Sequence, residues 1–230
     1  MLKLMQLELV KNKFGWYFRG AIIANILMIA LLWFIMYISQ IENDIIATTH
    51  LDFFVLIGAM VRATFIVFAS VLIAKIVIGE YKSKTILIMF SYPINRKKLI
   101  ASKLLFIAAI TFITMLLSNI VVAGLFSIIS NVFNIVPFSI TASQYIAEVL
   151  KMIPYSFASA GISLIPLYFG MRKHSVPTTI LSSLLVVSIV CSSNPVFSMV
   201  TFIPVQLGLA VVGVIIAFLS IRNIEIEDAT

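Results

Sequence analysis

The residues of this chain that could carry chemistry are few and are not grouped as they would be in an enzyme. Neither a G-x-x-x-x-G-K-[ST] phosphate-binding loop nor an H-E-x-x-H zinc motif occurs in the 230 residues, so the chain is not expected to bind ATP or zinc by those devices. Cys191 is the single cysteine, which excludes an intrachain disulfide. His50 and His174 are assigned below to opposite sides of a membrane and cannot share a metal ion. We therefore expect a non-catalytic chain without a metal or cofactor of its own.

Charged residues are densest between Gly79 and Lys103, where they surround a short apolar stretch. The pattern predicts two short helices around a turn, because Pro93 ends the first helix and Asn95 is a good N-cap for the second. The apolar stretch has two interpretations that the sequence leaves open: a surface that docks another protein, or a helix in the lipid interface. Its patch residues are Thr85, Ile86, Ile88 and Met89, and the charged residues around them are Glu80, Lys82 and Lys84.

The composition indicates that a lipid bilayer surrounds most of the chain. Hydrophobic residues make up 62% and charged residues 11%, against about 25% charged residues in soluble domains, and the mean hydropathy is +1.15. One aqueous core cannot bury so much apolar side chain, so membrane-spanning helices are expected. The net charge of +7 is expected to face anionic lipid or an acidic protein surface, and no nucleic acid is expected as a partner.

The distribution of basic residues predicts the membrane topology. Lysines and arginines cluster between apolar stretches that are joined in pairs by loops without basic residues, and positive charge stays on the cytoplasmic side during insertion. We therefore predict an all-α membrane protein that forms one transmembrane domain over residues 1–230, with six spans and both termini in the cytoplasm. The segments are an interfacial leader at 1–19, spans at about 20–38, 62–79, 104–126, 149–170, 176–191 and 201–221, and a cytoplasmic loop at 80–103.

Three basic residues fall outside the cytoplasmic clusters. Lys75 is close enough to Glu80 to reach the cytoplasmic headgroups, and Lys151 can pair with Glu148 on one helix face. Arg62 lies about 27 Å from Glu80 at the rise of an α-helix, which places it near the outer interface. It is interpreted either as a substrate contact or, in preference, as a lipid-phosphate anchor or a partner for Asp52.

The ends of several predicted spans are irregular. The apolar stretch before Arg62 is too long for one span, so Phe53–Val61 is predicted to be a separate short helix, interfacial or re-entrant. Pro154 and Pro166 are expected to bend the fourth span. The fifth span is short, and Ser192–Pro204 is expected to be a bent or partly re-entrant connection.

Uncharged polar residues inside the predicted spans are candidates for a transport path. Asn25, Asn119 and Gln206 are such residues, although hydrogen bonds between helices are the favoured interpretation of them. No pair of acidic residues lies inside a span, and a carrier driven by protons or sodium needs buried ionisable groups. A self-powered carrier is therefore disfavoured.

The loop at 80–103 resembles that of a known family. The run Glu80-Tyr-Lys-x-Lys-Thr85, followed by Pro93-Ile-x-Arg96 and then by Lys103 after six further residues, resembles the loop between spans 2 and 3 in the membrane subunits of type-2 ABC exporters. Lys84 stands where that family usually has glycine. The length of the chain, the predicted leader and the predicted six-span layout are also similar to that family.

This resemblance implies a permease subunit without catalytic residues, driven by separate ATPase subunits that bind ATP and magnesium. It implies docking of the ATPase by Glu80, Tyr81, Lys82, Lys84, Thr85, Ile86, Ile88, Met89, Pro93 and Arg96. It also implies a second permease chain, identical or similar, and alternating access. Chains this short in that family often export peptides or antibiotics, or confer immunity to them, in Gram-positive bacteria. The expected cargo is therefore an amphipathic peptide, an antibiotic or a lipid-like molecule, and the expected location is the plasma membrane. The alternative is a membrane-embedded assembly or interaction protein with the same topology and no transport activity.

Overall fold

The computed structural model describes residues 15–42, 50–82, 96–133, 141–173, 175–192 and 202–227, and this part of the chain is all-helical. The prediction of an all-α fold is therefore confirmed for the described residues. The helices are α1 (Gly15–Glu42), α2 (His50–Ile73), a π-helical turn (Ala74–Ile78), α3 (Gly79–Lys82), α4 (Arg96–Phe133), α5 (Ala142–Ile162), α6 (Pro166–Lys173), α7 (Val176–Val190) and α8 (Ile203–Glu227).

Helix α2 is continuous from His50, so the prediction of a separate helix at Phe53–Val61 is wrong. The first turns of α2 carry a buried apolar face that continues into the rest of the helix, and this face packs against two other helices. The Phe53 ring lies 5.2 Å from the Phe126 ring of α4, and the Phe54 ring lies 6.3 Å from the Tyr145 ring of α5, between centroids. These contacts hold the first turns of α2 in line with the remainder of the helix.

The fourth predicted span is divided at Pro166, where a bend was expected. Helix α5 ends at Ile162, a three-residue turn follows, and Pro166 is the first residue of α6. Proline is favoured at this position because its missing N–H would have no partner in the first helical turn. Pro154, by contrast, lies inside α5, and the helix continues through it. Helix α7 agrees with the fifth predicted span to within one residue.

Helix α2 is the centre of the bundle, because it contacts α1, α4, α5, α6 and α7. Two buried clusters of apolar side chains lie along it. One cluster surrounds Phe65 and includes residues from α1, α4, α5, α7 and α8. The other surrounds the π-helical turn and includes Tyr17 of α1, Ile100 of α4 and Leu167 of α6.

Helix α8 reaches the bundle through small residues that face α5. A Cβ atom placed on Gly213 would lie 2.3 Å from the carbonyl oxygen of Gly161, and one on Gly161 would lie 2.9 Å from the Cβ of Ala210. Backbones can approach this closely only where side chains are absent or small, as at helix contacts within membranes. This contact is the most extensive one that α8 makes.

Apolar side chains cover much of the outer surface of the described bundle. Ile22 and Leu27 of α1 and Phe218 of α8 are each about three-fifths exposed, at 59%, 61% and 67%. Five helical stretches, 15–39, 51–82, 97–130, 142–173 and 203–221, are long and apolar enough to cross a membrane, and α7 is a shorter apolar helix. The described part of the chain is thus compatible with five to six spans, while the number of spans and the location of the termini stay predictions.

Candidate functional site

The basic residues of the described chain gather mainly at one end of the bundle, here named the basic end. Tertiary contacts bring together the start of α1, the π-helical turn with α3, the start of α4 and the end of α6. For example, Gly170 of α6 lies against Ile78 and Thr179. The basic residues at this end are Arg19, Lys75, Lys82, Lys97, Lys98, Lys103, Arg172 and Lys173.

A buried ion pair joins the two chain segments that lead into and out of residues 83–95. Lys103 of α4 donates a hydrogen bond from its Nζ to Oε2 of Glu80 in α3. The Lys103 side chain is 1% exposed and the Glu80 side chain 13% exposed. Removal of two charges from water is costly unless they are paired, so this contact fixes the start of α4 against α3.

The π-helical turn places a second acceptor beside Lys103. In this turn the N–H of Gly79 donates to the carbonyl oxygen of Ala74, five residues earlier, so its hydrogen bonding differs from that of the α-helix before it. The Nζ atom of Lys103 lies 3.4 Å from the carbonyl oxygen of Ile76 in the same turn. The ammonium group is thus held by both a side chain and the backbone of one segment.

Only part of the predicted docking surface lies in the described residues. Glu80 and Tyr81 are partly buried, Lys82 is exposed, and Tyr81 packs against the apolar cluster around the π-helical turn. Helix α4 begins at Arg96, directly after the predicted N-cap. The remaining residues, Lys84, Thr85, Ile86, Ile88, Met89, Pro93 and the side chain of Arg96, lie outside the described part of the chain, as does most of the predicted leader, 1–14.

Aromatic residues at the start of α1 attach this helix to the basic end. The Tyr17 side chain is 1% exposed, and its hydroxyl lies 3.1 Å from Oγ1 of Thr114 on α4. The ammonium group of Lys75 lies 4.9 Å from the centre of the Trp16 ring. Lys75 is exposed, and the Trp16 ring is its neighbour there.

The three candidates for a transport path lie on three different helices. Asn119 of α4 is buried and donates a hydrogen bond of 3.3 Å to Oγ of Ser156 on α5. A hydrogen bond between helices was the favoured interpretation of Asn119, and it is confirmed. Gln206 of α8 is buried, and Asn25 of α1 is partly buried. None of these three residues lines the groove between α1 and α2 near Trp16, and none lines the cavity at Arg62 that is described next.

A small cavity with both charged and apolar lining residues lies at the opposite end of the bundle, between α2 and α5. Its volume is about 80 Å³, and Arg62, Glu148, Lys151 and Tyr155 are among its lining residues. The carbon Cζ of Arg62 lies 5.1 Å from the centre of the Tyr155 ring. The predicted pair of Glu148 and Lys151 is confirmed, with 2.6 Å between Oε1 and Nζ.

The predicted pairing of Arg62 with Asp52 is not found in the described structure. Arg62 is ten residues further along the same helix, about 15 Å at the rise of an α-helix, and its side chain turns towards α5. Sequence reasoning missed Tyr155 as its neighbour. The position of this tyrosine, seven residues after Glu148 and therefore two helical turns along the same face, was the available signal.

Comparison with known proteins gives one relationship over the whole chain. The chain is 43% identical over 228 residues to a Bacillus subtilis (strain 168) protein named "Uncharacterized protein YcbO", and the match covers 99% of this chain and 100% of that protein. The chain belongs to the same family as YcbO. No family model and no solved structure matches the chain.

The relationship to YcbO extends through every helix described above, because it covers nearly the full length of both chains. The aligned region therefore includes the positions that form the basic end and the cavity at Arg62 in this chain. The name of YcbO assigns neither a ligand nor a partner.

Proposed function

We propose that the chain is the permease subunit of an ATP-driven ABC exporter in the bacterial plasma membrane. In this role it moves an amphipathic peptide, an antibiotic or a lipid-like molecule out of the cell by alternating access. A separate cytoplasmic ATPase subunit binds ATP and magnesium and supplies the energy, and a second permease chain completes the pathway. The proposal has two supports, namely the resemblance of the loop at 80–103 and the arrangement of the residues that border this loop.

The observation that carries the proposal is the buried pair of Glu80 and Lys103. Both residues belong to the resembling motif, and they lie on either side of residues 83–95. A loop that must transmit force from an ATPase needs a fixed base, because movement of the loop would otherwise be lost in movement of its ends. The ion pair and the contact of Lys103 with Ile76 supply such a base on α3 and α4.

This arrangement divides the proposed docking residues by role. The Glu80 carboxylate faces Lys103, so the role proposed for it is to position the loop. Lys82 is exposed beside it and is available to the partner. Contact with the ATPase is then assigned to the apolar residues of the loop, Ile86, Ile88 and Met89, together with Thr85.

The experiment is purification of the full-length chain from its native membranes in a mild detergent, followed by measurement of ATP hydrolysis. We expect an ATPase to co-purify. Its rate of ATP hydrolysis should change when the complex is reconstituted in liposomes. Ile86→Glu combined with Ile88→Glu should remove the ATPase. Ser143→Glu is the control, because Ser143 is exposed at the opposite end.

Two results would contradict the proposal. Recovery of a folded chain without any ATP hydrolysis would leave the assembly protein without transport activity as the better description. Substrate movement that continues in the absence of nucleotide would instead indicate a self-powered carrier. Retention of the ATPase by the double glutamate variant would refute the docking assignment alone.

A further inference from the structure

The Arg62 side chain is buried without a carboxylate partner among the described residues. Its exposure is 4%, its Nε atom has no hydrogen-bond partner, and no ion pair of its guanidinium group is found in the described ranges. The Tyr155 ring covers one part of the group through a cation–π contact. A buried charge is costly when it is not paired, so the cavity in front of Arg62 is incomplete as it stands.

We propose that this cavity binds the phosphate group of a phospholipid from the adjacent membrane leaflet. The guanidinium group is planar and presents several N–H donors, a geometry that suits phosphate oxygens. The lining carries two cations, Arg62 and Lys151, and one carboxylate, Glu148. Because Lys151 is already bonded to Glu148, the charge that remains to be balanced is one positive charge on Arg62.

The size of the cavity selects a headgroup and excludes a whole transported molecule. Its volume is about 80 Å³, whereas pockets for drug-sized ligands enclose about 300–1,000 Å³. A liquid water occupies about 30 Å³, so the cavity has room for a group of a few heavy atoms such as one phosphate. The remainder of the ligand must therefore lie outside it.

The surface beside the cavity suits acyl chains. Val55 of α2 is exposed and contributes apolar surface to the rim, and Phe54 and Met152 are further apolar residues of the lining. A phospholipid would place its phosphate against Arg62 and its chains along this surface. Lys151, whose side chain is 62% exposed, would lie at the headgroup level as a second contact.

The test compares the thermal unfolding of the full-length protein, washed free of lipid in detergent, as three probes are titrated. The probes are dihexanoyl phosphatidylglycerol, dihexanoylglycerol without the phosphate, and inorganic phosphate. We expect a saturable rise in the unfolding midpoint with the phospholipid and none with the neutral glyceride. A ligand that binds the folded state raises its stability in this concentration-dependent way.

Arg62→Met keeps the apolar stem and removes the guanidinium group, so it should lower the affinity for the phospholipid by about tenfold or more, as expected for loss of a charge-assisted hydrogen bond. Without lipid, this variant should be as stable as the wild type or more so, because an unpaired buried charge is removed. Lys173→Met is the matched control, since Lys173 is exposed at the basic end, and its response should equal that of the wild type. Gly58→Leu should abolish the response by filling the cavity, which Gly58 lines.

Several results would overturn the proposal. Equal responses of wild type and Arg62→Met, or of the phospholipid and the neutral glyceride, would place the lipid effect elsewhere. A strong loss of lipid-free stability in Arg62→Met, with no lipid response in the wild type, would mean that the guanidinium only supports the Tyr155 contact. A rise in the unfolding midpoint with inorganic phosphate equal to that with the phospholipid would show that the cavity binds a free anion and not a lipid headgroup. If Arg62→Met does not fold, a wild-type response of Gly58→Leu would refute the site.

Discussion

The Nζ atom of Lys103 donates a hydrogen bond to the carboxylate of Glu80, and the two residues are separated by 23 positions in the chain. The two side chains differ in their access to water. The Lys103 side chain is 1% exposed, while the Glu80 side chain keeps 13% exposure. The pair is thus buried mainly on the lysine side, and this asymmetry gives a direct prediction for the two residues.

Glu80→Met should destabilise the protein more than Lys103→Met. The first change leaves a buried ammonium group without its carboxylate, and removal of one partner of a buried pair costs about 3–5 kcal/mol. The second change leaves a carboxylate that water can partly reach, so its cost should be smaller. The free energy of unfolding in detergent, measured for both variants, checks the order.

The double variant, Glu80→Met with Lys103→Met, separates the charge effect from packing. An apolar pair of similar volume often replaces a buried ion pair without loss of stability, so the double variant should regain most of what Glu80→Met loses. If the double variant is as unstable as the sum of the two single changes, the pair is not energetically coupled.

The close contact between α8 and α5 predicts different effects for two glycines of the same helix. Gly213→Ala should destabilise the protein by about 1–3 kcal/mol, as expected for overpacking, because its Cβ would lie 2.3 Å from the Gly161 oxygen. Apart from its chain neighbours and the adjacent backbone of α8, no described atom lies within 4 Å of a Cβ on Gly208. Gly208→Ala should therefore be neutral or stabilising by up to about 1 kcal/mol, the helix preference of alanine over glycine.

Thermal unfolding of both glycine variants in the same detergent provides the measurement. The comparison is matched, because both changes add one methyl group to α8 and both remove one glycine. Equal unfolding midpoints for the two variants would show that α8 does not approach α5 as closely as the structure has it.

The sequence predicted local features of the fold better than contacts between distant residues. The break at Pro166 and the extent of α7 could be predicted because proline geometry and short apolar runs are local signals. Arg62, by contrast, was predicted to be the first residue of a span. In the structure its guanidinium group lies over the ring of Tyr155 on another helix. The sequence next to Arg62 contains no sign of this neighbour, which lies 93 positions away, and α2 was therefore divided at the arginine.

The candidate site shows the same division. The concentration of charge at 80–103 was evident from the sequence, but nothing in it paired Glu80 with Lys103. Their pairing depends on the way α4 folds back along the π-helical turn. Gly213 contacts α5 and Gly208 does not. This difference depends on which face of α8 is turned towards α5, and the sequence around a single glycine does not show that.

Tyr17 should stabilise the basic end through its ring more than through its hydroxyl group. Hydrogen bonds between membrane helices contribute about 0.6 kcal/mol on average, and Oγ1 of Thr114 keeps its bond of 2.8 Å to the Ile110 carbonyl when the tyrosine hydroxyl is lost. Tyr17→Phe should therefore cost under about 1 kcal/mol. Tyr17→Ala should cost about 3–5 kcal/mol, as for other buried aromatic residues.

Tyr37→Phe is the control for removal of a hydroxyl group, since Tyr37 is 50% exposed and its change should leave stability unaltered. Unfolding monitored in detergent distinguishes the four proteins. A cost for Tyr17→Phe close to that of Tyr17→Ala would show that the hydroxyl group, and not the buried ring, attaches α1 to α4.

The predicted topology places the basic end in the cytoplasm and the cavity at Arg62 on the outer side. Cys191 is the single cysteine, so Cys191→Ala gives a background without thiols, into which one cysteine is introduced at a time. Ser143 is exposed at the end with the cavity, and Lys98 and Lys173 are exposed at the basic end. Ser143→Cys should react with a membrane-impermeant maleimide in intact cells. Lys98→Cys and Lys173→Cys should react only after the membrane is permeabilised, because positive charge stays inside. The opposite labelling pattern would show that the chain has the inverse orientation in the membrane. The loop at 80–103 would then lie outside the cell, where no cytoplasmic ATPase can reach it.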